Sequence, residues 1–376
     1  MAAKAKKKEE EDKLPFDQQL TELYFKANKK FHYNYEEFRG DYKVSTGSKI
    51  FDDITGGGFG SGLFRFVGGT ESGKTSEALE LQQNFLETVS DSKGIYVKAE
   101  GRLSDGVKER TRLKFVHDPK DWTNGTTLVF ECNIYETVFD WLRKLILENP
   151  EKKEGPPTRY HIIIDSMDGL LPTAALDKST ADAAKVAAGA VMTSDFLKRT
   201  NLSMAKKGHQ CIIMAQNRAT IQINQYAGVD KNKLGGASGG NAAVHFSDWI
   251  VEFLRPNQSD MILPKEGPIS VTNRPIGRMA KVKIHKSTND MSMITAAYPI
   301  KFGRKHGKSI WVEREIIDLL VQWGYFEKKG SWYNNNESLP FEMKAQGIDK
   351  LYGLLEKDEE LTKELDIFCK ENILNQ

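Results

Sequence analysis

The stretch Gly68-Gly69-Thr70-Glu71-Ser72-Gly73-Lys74-Thr75 constrains this chain more than any other. It fits the spacing G-x-x-x-x-G-K-[ST], a loop whose backbone N–H groups turn inward around phosphate oxygens. Its neighbours supply the context such a loop requires. The apolar run Leu63-Phe64-Arg65-Phe66-Val67 precedes it and predicts a buried strand. Residues 76–89 follow with Ala78, Leu79, Leu81, Phe85 and Leu86 at helical spacing. A loop between strand and helix sets the positive end of the helix dipole on the phosphates. Lys74 is expected to reach the terminal phosphates, and the Thr75 hydroxyl to ligate Mg²⁺.

Composition narrows the classes around this loop. A chain of 376 residues holds one large or two modest domains. With 39% hydrophobic and 28% charged residues it fits a soluble globular protein. No apolar run approaches the ~20 residues of a membrane span, so no membrane partner is expected. The formal net charge is only +2, so any nucleic-acid surface must be local. Cys132, Cys211 and Cys369 are far apart and form neither a zinc spacing nor a disulfide framework. A reducing, cytoplasmic setting is the plain expectation. The first 13 residues carry a basic cluster and then an acidic one, without the apolar core of a signal peptide. A solvated tail is expected there. Residues 15–35 predict an amphipathic helix with an extended tail, its apolar members being Leu20, Leu23, Tyr24, Phe25 and Phe31. Two uses stay open for it: an arm that grips a neighbouring subunit, or packing on its own domain.

Three further strands end in residues with site chemistry. Residues 94–99 predict a strand that runs into Glu100, and a carboxylate at the C-terminal end of a parallel strand faces the ligand crevice. His161-Ile162-Ile163-Ile164 predicts a strand that ends at Asp165, positioned to hold Mg²⁺ opposite Thr75. Asp168, nearby, reads as a surface charge. Gln210-Cys211-Ile212-Ile213-Met214-Ala215 predicts a buried strand that ends at Gln216, a side chain that can bond both phosphate and backbone. Residues 217–237 then form a long polar stretch holding Arg218, Gln222, Asn224, Gln225, Tyr226, Lys231 and Lys233, and Gly239-Gly240-Asn241-Ala242 closes it. Cations for phosphates, amides for bases and sugars, and one aromatic suit a single strand of nucleic acid.

Ahead of the loop stands Ser45-Thr46-Gly47-Ser48, then a short helical run and the turn Gly56-Gly57-Gly58. With this opening, the chain resembles the RecA-type recombinases over residues 44 to about 335. The resemblance implies an α/β fold: a RecA-type P-loop ATPase core with a mostly parallel central sheet flanked by helices, a short N-terminal arm and a small C-terminal α+β domain. The boundaries implied are 1–43, 44–297 and 298–376. ATP and Mg²⁺ are the implied cofactors. Glu100 takes the place of the family's catalytic glutamate, which polarises the attacking water. Gln216 takes that of the glutamine that senses the γ-phosphate. Residues 170–184, with Lys178, Ser179 and Thr180, stand where the family has its first DNA-binding loop, and residues 217–237 where it has its second. Lys286, and after it Lys283, match the lysines that reach the neighbour's ATP. The family's adenine-stacking aromatic has no counterpart among Leu103, Ser104, Asp105, Gly106 and Val107.

The resemblance thus implies an ATP-dependent recombinase that forms a helical homo-oligomer on single-stranded DNA and exchanges strands with duplex DNA. A single-strand-binding protein and a loading mediator are implied partners. The match is to the bacterial and phage RecA/UvsX branch, and the divergence from bacterial members points to a phage source, hence a host-cell cytoplasm. A hexameric helicase of the same fold, or a mediator that binds single strands with little turnover, are the alternatives. Residues 298–311 predict a hairpin with the basic tip Lys301, Arg304, Lys305, His306 and Lys308.

Overall fold

In a computed structural model, residues 15–27, 42–101, 103–150, 157–176, 187–216, 240–339 and 341–374 are described. Their strands sort side chains to two faces with the period of two that a pleated strand imposes. Ten of these strands make one sheet: β1 (Gly62–Gly68), β2 (Ser92–Lys98), β3 (Lys114–Val116), β4 (Thr126–Glu131), β5 (Arg159–Asp165), β6 (Gln210–Gln216), β7 (Trp249–Phe253), β8 (Met261–Ile262), β9 (Gly277–Lys286) and β10 (Thr295–Lys301). The order is β10-β9-β7-β1-β6-β5-β2-β4-β3, with β8 beside β9. Every pairing from β3 across to β7 is parallel, and β8, β9 and β10 pair antiparallel.

Helices cover both faces, as a parallel sheet buried on both sides requires. In chain order the α-helices of the described residues, not all of them on this sheet, are α1 (Phe16–Ala27), α2 (Lys49–Ile54), α3 (Lys74–Thr88), α4 (Asp105–Arg110), α5 (Tyr135–Leu147), α6 (Ala187–Lys206), α7 (Gly240–Phe246), α8 (Val312–Gln322), α9 (Ile348–Leu355) and α10 (Glu359–Cys369). Phe64 and Phe66 of β1, Ile163 of β5 and Ile212 of β6 pack with Leu79, Leu81 and Phe85 of α3. Leu63, Ile162, Ile164, Cys211 and Ile213 point the other way, to Val138 and Leu142 of α5 and Phe196 and Leu197 of α6. Along β9 the side chains alternate, with Ala280, Val282 and Ile284 buried.

A third apolar cluster joins α8, α9 and α10 to a small antiparallel sheet of β11 (Phe326–Lys329), β12 (Trp332–Asn335) and β13 (Lys344–Gln346). It is welded to the core by one buried carboxylate. Glu315 of α8 accepts from Ser48 Oγ at 2.6 Å, Lys49 N at 2.9 Å and Ile50 N at 3.0 Å, which satisfies the first donors of α2. Asp52 of α2 in turn accepts from Thr46 N at 2.7 Å and from the Ser45 hydroxyl. The Ser-Thr-Gly-Ser opening is therefore a structural clasp.

Two expectations change here. Residue 298 lies inside β10, so the main sheet runs through the boundary drawn at 297/298. The hairpin expected over 298–311 is a short one, an antiparallel bridge of Ile300 with Ile310 flanked by Lys301 N donating to Ser309 O at 2.9 Å and Trp311 N to Pro299 O at 2.8 Å, while the partner along the length of β10 is β9. Residues 40–376 form one compact unit and residues 1–39 another, in which none of the α1 side chains is buried. Among the described residues no helix is long and apolar enough to cross a membrane.

Candidate functional site

The site grows from the C-terminal end of β1, where the chain must turn sharply under the neighbouring strand. At Gly68 φ is +153°, and a Cβ there would lie 2.4 Å from the Phe253 carbonyl oxygen, so only glycine fits. The chain then passes through Gly69, exposed Thr70 and Glu71, and buried Ser72, whose hydroxyl donates to Gly69 O at 2.9 Å. Gly73 caps α3 at φ +107° with no side-chain bond to the helix, which leaves the first N–H groups for a ligand. Lys74 Nζ folds back onto the loop and donates to Gly68 O at 3.0 Å and Gly69 O at 2.8 Å. Burial lowers its pKa, and the nearby carboxylates of Asp165, Asp168 and Glu100 oppose that shift.

Asp165 ends β5, two strands away from the loop in the sheet, and closes the other side. Its Oδ2 accepts from Thr75 Oγ1 at 3.0 Å and from the Tyr96 hydroxyl at 2.6 Å. Its main-chain oxygen accepts from Ala99 N at 2.9 Å and Glu100 N at 3.2 Å. Glu100 thus stands just past the end of β2, held by the end of β5. Gly169 packs so closely behind it that a Cβ would come within 2.4 Å of Glu100 Cγ. Gln216 ends β6 in register with Gly68, and its side chain is exposed. Its backbone N–H donates to Asp168 Oδ2 at 2.7 Å. Asp168 is therefore no idle surface charge: it ties the turn after β5 to the end of β6 and sits near both Lys74 and Arg65.

The two lysines on β9 differ. Lys286 Nζ donates within its own chain to His245 O at 2.9 Å and Val244 O at 3.3 Å, at the C-terminal end of α7, where a cation is favoured. Lys283 is half-buried in register with Glu252 of β7. Lys178, Ser179, Thr180, Arg218, Gln222, Asn224, Gln225, Tyr226, Lys231, Lys233 and Gly239 lie outside the described residues. Gly240 and Asn241 begin α7. The basic stretch after β10 is neutralised: Lys301 pairs with Glu356, Arg304 with Glu313 at 2.8 Å and Glu356 at 3.0 Å, Lys305 with Glu109 at 2.6 Å, and Lys308 with Glu359 at 2.6 Å.

Several site residues escape a reading of the sequence. A cleft of about 670 Å³ runs from the outer side of the loop, at Glu71, Ser72 and Gly73, to Val107, Arg278 and Phe302. Arg278 grips the loop from outside, with Nη1 3.3 Å from Glu71 O and Nη2 3.5 Å from Ser72 O. Phe302 lines this cleft and is 45% exposed, while Phe253 and Tyr298, which also line it, are buried. A Phe-Gly pair directly after a strand was the signal available for it; nothing in the sequence marks Arg278 or Tyr96.

The donor set fits a hard divalent cation held together with a polyphosphate. A hydroxyl and a carboxylate meet at 3.0 Å, both oxygen donors of the kind Mg²⁺ takes. Among the described residues no cluster of three or more His, Cys, Asp or Glu side chains could hold a metal alone. A cation at Thr75 and Asp165 would draw its remaining ligands from phosphate oxygens and water.

No family model matches the chain. Protein RecA of Chlorobaculum tepidum is 26% identical over 328 residues, which is 85% of this chain and 80% of that protein. Protein RecA of Mycoplasma mycoides subsp. mycoides is 28% identical over 326 residues, 85% of this chain and 81% of its own. Protein RecA of Bacteroides thetaiotaomicron is 28% identical over 205 residues, 54% of each chain.

Proposed function

This chain belongs to the RecA family, and from that premise we propose that it is an ATP-dependent recombinase that polymerises on single-stranded DNA and pairs it with homologous duplex. One observation carries the reading. Lys74 and Thr75 come from the loop, and Glu100, Asp165 and Gln216 from the ends of three separate strands; they converge at the C-terminal end of the sheet. That is where open α/β sheets bind ligands.

In this reading the backbone N–H groups from Gly69 to Thr75 hold the phosphates, and Lys74 leaves the loop carbonyls to meet the β- and γ-phosphates. Thr75 and Asp165 hold Mg²⁺, which when bound neutralises phosphate charge. Glu100 orients water for in-line attack on the γ-phosphate and accepts its proton. Its attachment to the end of β5 keeps that orientation fixed. Gln216 senses the γ-phosphate and relays its presence into residues 217–237, which hold the single strand with Arg218, Gln222, Asn224, Gln225, Tyr226, Lys231 and Lys233. The ATP state then sets DNA affinity, and DNA sets ATP affinity by the same factor. A neighbouring protomer completes the site with a lysine of β9. Lys283 is the better candidate, because Lys286 is engaged with α7 of its own chain. The cleft between the loop and Phe302 has room for the nucleoside.

Negative-stain imaging with single-stranded DNA tests the reading, with and without a nonhydrolysable ATP analogue. Open helical filaments that need the analogue are expected. Closed rings would give the assignment to a helicase, and monomers on DNA under every nucleotide condition would end it.

A further inference from the structure

Tyr96 belongs to no motif, yet it touches the centre of the site. It lies inside β2 between Ile95 and Val97, which face α5 and α6. The pleat therefore sends its ring to the other face, where it shares the apolar cluster of Phe64, Phe66 and Phe85 and is 3% exposed. Phenylalanine would satisfy that environment as well. The hydroxyl is the part that packing does not demand, and it donates to Asp165 Oδ2 at 2.6 Å. Thr75 Oγ1 donates to the same oxygen at 3.0 Å.

Two donors on one carboxylate oxygen have a consequence for metal binding. An oxygen so engaged is a poor ligand, so the carboxylate cannot embrace a cation with both oxygens. It is left to act through Oδ1, or through a metal-bound water. Mg²⁺ accepts such terms: it is small, strictly octahedral and keeps several of its waters. Ca²⁺ favours more ligands at longer range, including bidentate carboxylates. We propose that Tyr96 is a positioning residue of the metal site, whose phenol fixes the plane of Asp165 and withholds Oδ2, so that the site prefers Mg²⁺ to larger cations. The proposal rests on the reading that Thr75 and Asp165 hold the cation that accompanies the nucleotide.

The test uses the full-length protein, a fluorescent nonhydrolysable ATP analogue, and titration with Mg²⁺, with Ca²⁺, or with neither in EDTA. Tyr96→Phe keeps the ring and removes one oxygen. Its analogue affinity in EDTA is expected to stay within about twofold of wild type, while the Mg²⁺ concentration for half-maximal tightening rises about tenfold, in the range for removal of a ligand's hydrogen-bonding partner. The Ca²⁺ curve is expected to shift less, so that the preference between the two ions narrows. Wild-type Mg²⁺ and Ca²⁺ curves in Tyr96→Phe would overturn the proposal. So would an equal loss of affinity with and without metal, which would mark Tyr96 as a packing residue only. Asp165→Asn separates the two levels: if it keeps the wild-type Mg²⁺ dependence, the metal site itself is misassigned and the proposal falls with it.

Discussion

The substitution Gly169→Ala probes how tightly Glu100 is placed without touching any group that contacts nucleotide. The added Cβ would stand 2.4 Å from Glu100 Cγ, 2.8 Å from Ala99 O and 3.0 Å from the Ala99 carbonyl carbon. Ordinary contact begins at 3.4 Å, so the segment bearing Glu100 must retreat by about 1 Å. Rotating the Glu100 side chain away relieves only the first clash, because the other two are with backbone. A misplacement of about 1 Å in a group that orients a reactant costs roughly 10²-fold, which is about 2.7 kcal/mol of barrier. Overpacking of this kind also costs roughly 1–3 kcal/mol of stability, so the melting temperature is expected to fall by several degrees. The assay is DNA-stimulated ATP turnover, with analogue binding measured separately. Turnover about a hundred times lower with near-normal binding is expected. Wild-type turnover in a folded Gly169→Ala protein would show that Glu100 does not need this position. A parallel loss of binding would show generalised damage to the site.

Other outcomes follow from the same geometry. Glu100→Gln is expected to bind ATP and DNA normally and to lose about 10²–10⁴-fold in DNA-stimulated hydrolysis, the usual worth of a positioned general base; steady-state turnover beside filter binding checks it. Asp168→Ala removes the carboxylate that accepts the Gln216 N–H. The stimulation of ATPase by single-stranded DNA is expected to fall several-fold while Mg²⁺-analogue affinity changes little, as read by paired ATPase and fluorescence titrations. His161 and His209 are fully buried, and desolvation pushes both pKa values down to about 3. Unfolding therefore takes up a proton at each between pH 6.5 and about 3. Their stabilisation is complete above pH 6.5 and is lost as pH falls through that window, at about 2.7 kcal/mol per pH unit for the pair. Buried Glu77 and Glu80, whose pKa values burial raises, act in the opposite sense over the same range, so the histidine contribution is read as a difference: denaturant melts between pH 6 and 4 are expected to lose less stability per pH unit in His209→Gln than in wild type, by about 1 kcal/mol per unit.

The loop from Gly68 to Thr75 was legible because its chemistry is contiguous: the glycines, the lysine and the threonine act within one turn of chain. The strand-end residues Glu100, Asp165 and Gln216 were legible for a related reason, since an apolar run that stops at a polar residue marks the edge of a buried sheet. Asp168 was misread because its sequence neighbours do not reveal its partner, Gln216, 48 residues on. The stretch from Lys301 to Lys308 looked like a basic tip because its acidic partners, Glu109, Glu313, Glu356 and Glu359, lie on other elements. Lys286 was singled out by its match to the family's lysines, and its engagement with the end of α7 depends on how β9 lies beside that helix.

By itself, then, the sequence determined where the chain is strand, helix or phosphate loop, and which types of chemistry stand at the strand ends. Those features follow from backbone geometry and hydrophobic period, which act over a few residues. Only the tertiary structure decided that Tyr96 and Thr75 share one oxygen of Asp165, that Arg278 grips a loop 207 residues before it, and that Gly169 backs Glu100. These contacts are set by strand order and by the register of parallel neighbours, and each exists only once distant segments have been packed side by side.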